Sequence, residues 1–234
     1  MTILTGTSGF SYKEWKGLFY PEKLKNTDML AYYAGRLLAV EINNTFYRLP
    51  RVSVLEKWTE TVPEGFRFVL KASRQITHFK RLNEAEEVTD YMIQTARTLG
   101  TRLGAILFQL PPNFRLDLDR FERFVDFLPD DLRFAFEFRH PEWGDERVFD
   151  VLRGKNAALC VADSEAESPE VVSTADWGYL RLRKAGYSER ELVTWADRIG
   201  AQEWASAFVF FKHEDDASGP LMAEAFLRRF NREQ

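Results

Sequence analysis

The feature that most constrains this chain is an eightfold recurrence of short apolar runs rich in β-branched and aromatic residues. Successive runs begin about 29 residues apart on average, and each is long enough for one buried strand. Parallel neighbouring strands need a crossover of a dozen or more residues, which this spacing provides. The runs occupy residues 3–9, 37–46, 66–72, 103–110, 133–139, 157–163, 177–183 and 207–213.

Most segments between these runs have the 3.6-residue period of an amphipathic helix. In one of them, Ser188 and Glu191 have the spacing of a capping box, which predicts where the helix begins. The segment between Asp163 and Trp177 is different: it is polar, contains Pro169 and has no apolar stripe, so we expect a loop or a single short turn. The segments with the clearest helical pattern are residues 83–100, 117–129, 188–200 and 217–231.

Eight strands alternating with helices favour an α/β fold, either an open doubly wound sheet or an eight-stranded barrel. An open dinucleotide-binding sheet would carry G-x-G-x-x-G after its first strand, whereas this chain has only Gly6 and Gly9 there. No linker or low-complexity segment divides the 234 residues. The sequence therefore predicts a single TIM-type (β/α)8 barrel domain over residues 1–234, with the sixth crossover helix short or missing.

Composition excludes several other classes of protein. The net charge of −4 argues against a general basic surface for non-specific nucleic-acid binding. The one cysteine, Cys160, lies in an apolar run, which predicts a buried thiol and excludes an internal disulfide or a cysteine metal cluster. Residues 1–10 lack the basic and apolar regions of a secretory signal, and no apolar run approaches the roughly 20 residues of a membrane span. We therefore expect a cytoplasmic protein with no membrane partner.

The fifth run shows how charge is distributed along a predicted strand. Because side chains alternate between faces, Glu137 and Arg139 share one face with Ala135, while Phe136 and Phe138 lie on the other. This pattern is typical of a barrel strand whose polar end faces a site, and it predicts that Glu137 and Arg139 are both largely buried at the C-terminal mouth, near Arg181 or Lys71. A ring of ion pairs that only closes the barrel, such as Glu137 with Arg139 or Arg181, is the structural alternative, although buried ion pairs are weak evidence of stability.

All eight runs become polar toward their C-terminal ends, where TIM barrels place catalytic and binding groups. We predict that these side chains converge on one pocket at the barrel axis, with His78 and Lys212 at its rim. The predicted catalytic residues are Glu41, Glu137 and Asp163. The predicted substrate-binding residues are Asn43, Lys71, His78, Gln109, Arg139, His140, Arg181, Arg183 and Lys212.

Cationic side chains outnumber carboxylates in this set, and a surplus of positive charge in a concave site attracts anions. Barrels commonly bind phosphate after strands 7 and 8, where Arg181, Arg183 and Lys212 lie. Arginine recognises phosphate and carboxylate through paired N–H donors. The pattern favours a small anionic ligand, phosphorylated or carboxylated. If the protein is an enzyme, we expect a hydrolase or lyase-type acid/base catalyst, and we predict no cofactor.

Four further hypotheses stay open. His78, His140 and His213 follow strand ends and could join carboxylates in a divalent metal site, although neighbouring cations would repel a dication. Glu41 and Glu137 could act as the carboxylate pair of a glycoside hydrolase. Basic and aromatic loop residues could bind and process nucleic acid. The protein could also bind a metabolite without turning it over, which requires no group that exchanges protons near pH 7.

Several longer motifs resemble, in order, those of the YecE-like proteins, called domain of unknown function 72. The resemblance implies a TIM barrel and no established activity. Two positions depart from the family pattern: Arg183-Lys184 stand where the family has His-Gly, and residues 211–215 lack two expected asparagines, which favours a different substrate. The motifs are "GTSGFSYKEWKGLFYPE" (6–22), "VEINNTFYRLP" (40–50), "KASRQITHFKRL" (71–82), "LGAILFQLPPNF" (103–114), "AFEFRHPEW" (135–143), "VAD" (161–163) and "YLRLR" (179–183).

Overall fold

A computed structural model describes residues 1–166, 168–212 and 216–230. Eight parallel strands close into a barrel in chain order, and the last strand pairs with the first. The prediction of a TIM-type barrel is therefore confirmed. The strands are β1 (Thr2–Ser8), β2 (Ala39–Ile42), β3 (Arg67–Lys71), β4 (Leu103–Gln109), β5 (Phe134–Glu137), β6 (Ala158–Ala162), β7 (Trp177–Leu182) and β8 (Ser206–Phe211).

Helices surround the barrel, and the described segment between β6 and β7 contains none, as the sequence predicts. The helix predicted over 83–100 begins later, at Glu86, and its end is a 3-10 turn in which Gly100 has a φ of 53°. None of the helices described is long and apolar enough to cross a membrane. The helices are α1 (Met29–Ala34), α2 (Val52–Thr61), α3 (Glu86–Ala96), α4 (Leu118–Phe127), α5 (Glu146–Gly154), α6 (Glu189–Gly200) and α7 (Ser218–Phe230).

Side chains along each strand alternate between two apolar layers, one outside the barrel and one inside it. Outward side chains pack against the helices: Phe136 of β5, for example, contacts Phe121 of α4 with ring centroids 5.2 Å apart. Inward side chains fill the barrel, and the predicted buried thiol of Cys160 is among them. The inward layer includes Ala39, Val69, Ala105, Leu107, Ala135, Ala158, Cys160, Trp177, Tyr179, Phe208 and Phe210. This alternation places Glu137 on the interior side of β5, two residues after Ala135.

A close approach between β1 and β2 positions one edge of the mouth. A Cβ atom at Gly6 would lie 1.8 Å from the carbonyl oxygen of Ala39, so only glycine fits there. The hydroxyl of Tyr33, on α1, donates to that same carbonyl at 2.9 Å and accepts from the backbone of Thr7 at 2.8 Å. These contacts hold the two strands in register, with Ser8 beside Glu41.

Candidate functional site at the C-terminal mouth of the barrel

Three inward side chains from β2, β5 and β7 meet just below the mouth and form what we call the central triad: Glu41, Glu137 and Arg181. One terminal nitrogen of Arg181 donates to Glu41 Oε1 at 2.8 Å, and the other donates to Glu137 Oε2 at 2.5 Å. The three side chains are 0%, 2% and 5% exposed, respectively. A single guanidinium therefore bridges two carboxylates inside the barrel.

Three further side chains donate hydrogen bonds to the two carboxylates. Ser8 Oγ donates to Glu41 Oε1 at 2.8 Å, and the hydroxyl of Tyr179 donates to Glu41 Oε2 at 2.6 Å. Gln109 Nε2 donates to Glu137 Oε2 at 2.8 Å. Hydrogen bonds to an ionised carboxylate favour its charged form, and the bonds from Gln109 and Arg181 act on Glu137 in this way.

The electrostatics of Glu137 are dominated by its positive neighbours. Burial by itself would raise the pKa of this carboxyl, but the charges of Arg181 and Arg139 and hydrogen bonds from Gln109 and Arg181 outweigh it and lower the pKa to about 2. Glu137 is therefore ionised at neutral pH. A carboxyl group in this state does not suit the role of general acid.

Lys71 ends β3 and lies above the central triad. Among the described residues no carboxylate forms an ion pair with its ammonium group; Nζ lies 4.4 Å from the ring centroid of Phe46. Burial, followed by the charge of Arg181, lowers the pKa of Lys71 to about 8, although Glu41 and Glu137 oppose this shift. The amine is therefore partly neutral near physiological pH.

Two arginines flank Glu137 on the outer side of the mouth. Arg139 Nε lies 3.2 Å from Glu137 Oε1, and a terminal nitrogen of Arg183 lies 3.7 Å from the same oxygen. We expected Arg139 to be buried with Glu137, and this was wrong: 39% of its side chain is exposed. The reason is that β5 ends at Glu137, so Arg139 lies beyond the last strand residue and at the entrance.

His78 and Lys71 lie against the same aromatic ring, that of Phe46. His78 belongs to a short π-helix, Gln75–Phe79, and its ring contacts Phe46 with centroids 4.8 Å apart. Nδ1 lies 2.9 Å from Thr77 Oγ1. Burial, together with the charges of Lys71 and Arg139, lowers the pKa of His78, so the neutral imidazole is favoured.

Asn43 does not join the central triad. The sequence places it on the same face as Glu41, but β2 ends at Ile42 and Asn43 adopts a helical backbone conformation, so strand alternation no longer applies. It lines a neighbouring cavity of about 410 Å³ together with Phe10 and Trp58. Its buried Oδ1 has no hydrogen-bond partner in the described part of the chain.

Asp163 also points away from the two glutamates. One carboxylate oxygen accepts a hydrogen bond from the backbone of Arg183 at 2.6 Å, and the other accepts one from the hydroxyl of Tyr187 at 2.5 Å. Burial raises the pKa of this carboxyl, while those two hydrogen bonds oppose the rise. Asp163 therefore holds the loop after β7, and with it the position of Arg183.

The remaining predicted residues lie farther from the triad or outside the description. Nδ1 of His140 accepts from the backbone of Glu142 at 3.2 Å, and its side chain borders a separate cavity of about 460 Å³ beside β6. Lys212 is exposed at the end of β8. His213 lies outside the described residues. Over 1–166, 168–212 and 216–230, no group of three or more His, Cys, Asp and Glu side chains is placed to hold a metal ion.

Comparison with known proteins assigns the chain to a family. The family model described as "Protein of unknown function DUF72" matches residues 4–234. The chain belongs to the DUF72 family. This agrees with the resemblance to the YecE-like proteins, and the family carries no established activity in its description.

Bacterial members of the DUF72 family are similar to this chain in sequence. UPF0759 protein YecE of Escherichia coli (strain K12) is 29% identical over 142 residues, which are 60% of this chain and half the length of the E. coli protein. UPF0759 protein YunF of Bacillus subtilis (strain 168) is 24% identical over 210 residues, covering 83% of this chain and 73% of that protein.

Solved structures support the same fold. A DUF72 family protein from Thermotoga maritima is 25% identical, superposes with a TM-score of 0.86, and the match covers 99% of this chain and 100% of that one. A xylose isomerase domain containing protein from Salmonella typhimurium has a TM-score of 0.53 at 12% identity, over 99% of this chain and 96% of that one. That second likeness shows the barrel fold alone.

Three residues that contribute to this site were not among the site residues predicted from the sequence. Tyr179 and Ser8 donate to Glu41, and Phe46 lies against the ammonium of Lys71. A signal for Tyr179 was available, because it is two residues before Arg181 and so shares its inward face. Nothing in the sequence indicates that Phe46 contacts Lys71, since Phe46 lies in the 3-10 turn after β2 and Lys71 ends β3.

Proposed function

We propose that the mouth of this barrel binds a small anionic molecule that carries a phosphate or carboxylate group. The observation that carries the proposal is Lys71, whose ammonium lies at the mouth without an ion-pair partner among the described residues. Arg139 and Arg183 lie nearby against one oxygen of Glu137, with more than one N–H donor each in addition to those contacts. An anion between these three groups would complete the charge balance of the mouth.

Arg181 has a different role in this proposal from Lys71, Arg139 and Arg183. Its terminal nitrogens donate to Glu41 and Glu137, and the side chain is almost fully buried, with a buried Nε that has no hydrogen-bond partner in the described part of the chain. It contributes a fixed positive charge below the ligand. A preorganised charge of this kind, in a region from which water is largely excluded, acts more strongly than the same charge in solvent.

The available acid and base groups favour Lys71 for any proton transfer. A catalytic acid or base works best when its pKa lies near the operating pH. Lys71 meets this condition with a pKa of about 8, whereas the pKa of Glu137 is about 2 and the oxygens of Glu41 are occupied by three donors. If the protein is an enzyme, we expect a hydrolase or lyase in which the glutamates hold charges in place.

Thermal unfolding in rising concentrations of inorganic phosphate tests the anion site. Ligand at concentration c stabilises the folded state by RT ln(1 + c/Kd). The unfolding temperature should therefore rise with phosphate concentration, and above Kd the rise should be linear in log c. Double substitution Arg139→Gln and Arg183→Gln should weaken apparent affinity by at least about tenfold, since each arginine supplies charge-assisted hydrogen bonds. Arg153→Gln, on the outer surface of α5, is the matched control.

An unchanged phosphate response in the Arg139/Arg183 variant, with the fold intact by circular dichroism, would place the anion site elsewhere. A response that is weakened equally in Arg153→Gln would show that the loss of positive charge in general, and not the loss of Arg139 and Arg183, weakens the apparent affinity. Comparing turnover with binding for Lys71→Arg then separates an enzyme from a non-catalytic metabolite-binding protein, because binding alone needs no proton exchange.

A specific surface favours nucleic acid as a second candidate ligand. The exposed rings of Tyr47 and Phe79 lie on either side of Arg74, whose guanidinium carbon is 5.4 Å and 5.3 Å from their centroids. Exposed aromatic side chains next to arginine can stack on unpaired bases. Fluorescence anisotropy with a single-stranded oligonucleotide at two salt concentrations tests this candidate: Tyr47→Ala and Phe79→Ala should weaken binding, and salt-insensitive or absent binding would exclude it.

A further inference from the structure

We infer that Lys71 forms an imine with a carbonyl compound that also carries a carboxylate or phosphate group. The inference deepens the proposed anion site and rests on it, because Arg139 and Arg183 would hold the anionic group while the amine reaches the carbonyl carbon. The substrate class is therefore an oxo acid or a phosphorylated aldehyde or ketone.

The backbone of Lys71 is held on two sides. Its carbonyl oxygen accepts a hydrogen bond from Thr45 Oγ1 at 2.6 Å, and the next residue, Ala72, donates to the carbonyl of Leu107 at 2.8 Å. The same Thr45 hydroxyl also lies 2.8 Å from the carbonyl of Ile42 at the end of β2. These contacts fix the point from which the side chain enters the mouth, and a rigid scaffold of this kind preserves the geometry of a reactive group.

The surroundings of the amine favour its neutral, nucleophilic form. The groups that face it are the ring of Phe46, the cations Arg181 and Arg139, the imidazole of His78, and below it the two glutamates that Arg181 already neutralises in part. With a pKa of about 8 against 10.5 for an ordinary lysine, the amine at pH 7 is neutral in roughly a few hundred times more molecules. Desolvated lysines beside other cations are known to be activated as nucleophiles in this way.

Three other lysines of the described chain have a carboxylate partner or lie in solvent. Lys155 pairs with Asp130 at 2.6 Å, Lys184 pairs with Glu191 at 2.9 Å, and Lys57 is exposed on α2 outside the barrel. A partner carboxylate stabilises the ammonium form, and Glu191 raises the pKa of Lys184 in this way. Lys71 differs from these three because it is half-buried and forms no ion pair with a carboxylate among the described residues.

The step balances without any oxidant or reductant. The lone pair of neutral Nζ forms a bond to the carbonyl carbon, and the carbonyl oxygen accepts the proton that the nitrogen loses, which gives a carbinolamine. Loss of that oxygen as water forms the C=N bond, and protonation of the imine nitrogen gives the iminium ion. Bound between Lys71, Arg139 and Arg183, an iminium would withdraw electrons from the adjacent carbon, which is the chemistry that a lyase of this type needs.

Reductive alkylation of the intact protein tests the inference. We would incubate it at pH 7 with glyoxylate, a carbonyl compound with a carboxylate, and with cyanoborohydride, whose hydride reduces the iminium to a stable secondary amine. Peptide mapping by mass spectrometry then follows modification at each lysine. We expect Lys71 to react at least about tenfold faster than Lys57, and inorganic phosphate to slow the reaction at Lys71 only.

Formaldehyde in place of glyoxylate separates the amine from the anion site, because it carries no anionic group. If neither reagent modifies Lys71 faster than Lys57, the inference is overturned, while the phosphate titration still decides the anion site on its own. If formaldehyde prefers Lys71 and glyoxylate does not, the amine is reactive but no anionic group is held beside it, which overturns the inference together with the proposed function.

The variant Lys71→Arg keeps the positive charge and removes the amine that forms an imine. It should retain the phosphate-induced rise in unfolding temperature and leave the modification rate of Lys57 unchanged. If Lys71→Arg still forms a glyoxylate adduct at the wild-type rate, on a lysine other than residue 71, then Lys71 is not the reacting residue.

Discussion

Arginine–carboxylate pairs occur at both ends of this barrel, and they differ in how much water reaches them. At the N-terminal end Arg97 forms two hydrogen bonds to Asp131, at 2.6 Å and 2.9 Å, with 37% and 60% of the two side chains exposed. At the C-terminal mouth the central triad of Glu41, Glu137 and Arg181 makes bonds of similar length with almost no exposure.

The difference in exposure between the Arg97–Asp131 pair and the central triad indicates what each contributes to the protein. An exposed ion pair loses little hydration and contributes little to stability. A buried one loses hydration on every member, and well-packed apolar residues of similar volume are often as stable or more stable. Apolar side chains would therefore serve the mouth at least as well if closure of the barrel were its only purpose. The charges of the central triad therefore favour a binding or catalytic site at the mouth. Removing one member of the triad should lower the free energy of unfolding, because its partners would stay buried without their counter-charge.

The largest expected effect comes from removing the shared cation of the triad. Arg181→Ala leaves Glu41 and Glu137 buried without their bridging charge, which should destabilise the protein by about 3–5 kcal/mol. Urea unfolding followed by circular dichroism measures the change. Arg97→Ala at the other end is the matched control and should leave the unfolding midpoint within experimental error. Equal losses in both variants would mean that burial does not distinguish the two ends.

The second effect is a pH dependence of stability that the buried carboxylate of Glu137 should give to the mouth. Because the pKa of Glu137 is lowered from 4.5 to about 2, the unfolded state binds more protons than the folded state between these values. Its contribution, about 3 kcal/mol, is therefore fully present above pH 4.5 and is lost as the pH falls toward 2. The stability difference between wild type and Glu137→Gln should shrink over this window when unfolding is measured by urea titration at each pH.

A control for this prediction is available on the surface. The pKa of Asp145 is also about 2, because hydrogen bonds from the side chain and backbone of Arg147 stabilise its ionised form. Salt and water reach the side chains of Asp145 and Arg147. The difference in unfolding free energy between wild type and Asp145→Asn should therefore be small, and 0.5 M salt should remove it. If salt also removes the difference for Glu137→Gln, the triad is better hydrated than its burial indicates.

A third prediction is that removing a charge from the mouth stabilises the protein. Lys71 has its pKa lowered to about 8, so below that pH the folded state holds its proton less tightly than the unfolded state, at a cost to stability. Lys71→Met should therefore raise the free energy of unfolding at pH 7 by about 1–2 kcal/mol, a figure reduced for partial exposure, and abolish the phosphate response.

The pH dependence supplies the check on Lys71→Met. As the pH rises from about 8 to 10.5, wild-type Lys71 loses its proton first in the folded state, so the wild type gains stability relative to the variant. Lys57→Met, on the outer surface of α2, should show neither effect. Destabilisation by Lys71→Met at pH 7 would contradict the assignment of an energetically costly ammonium.

The smallest expected effect concerns the ring beside that ammonium. Phe46→Leu removes the aromatic face 4.4 Å from Lys71 Nζ, which contributes about 0.5–1 kcal/mol to the charged form. The pKa of Lys71 should therefore fall by less than one unit below its wild-type value, as measured by NMR titration of ¹³C-methylated lysine. Tyr47→Leu, which removes a ring facing Arg74 instead, should leave the pKa of Lys71 unchanged. A rise in Phe46→Leu would contradict the cation–π contact.

The strands were readable from the sequence because their signal is local. Eight apolar runs, with the polar gap after β6 where a helix is missing, are properties of neighbouring residues, and the structure reproduces each run with its ends shifted by at most four residues. The inward direction of Glu137 likewise follows from its distance of two residues from Ala135. The same rule failed for Asn43 and Arg139, because both lie beyond the last residue of their strands.

The number of strands, their parallel order and the set of charges near their C-terminal ends all follow from the amino-acid sequence. The pairing of those charges follows from the folded barrel: Glu41 and Glu137 bind Arg181, which is 140 and 44 residues away, Asp163 binds the loop after β7, and Lys71 lies against Phe46. Strand alternation is a local rule, because it depends on residues two positions apart. The pairing of buried charges depends instead on barrel closure, which brings the ends of β2, β5 and β7 to one level. Each donor can then bind only the acceptors within its reach.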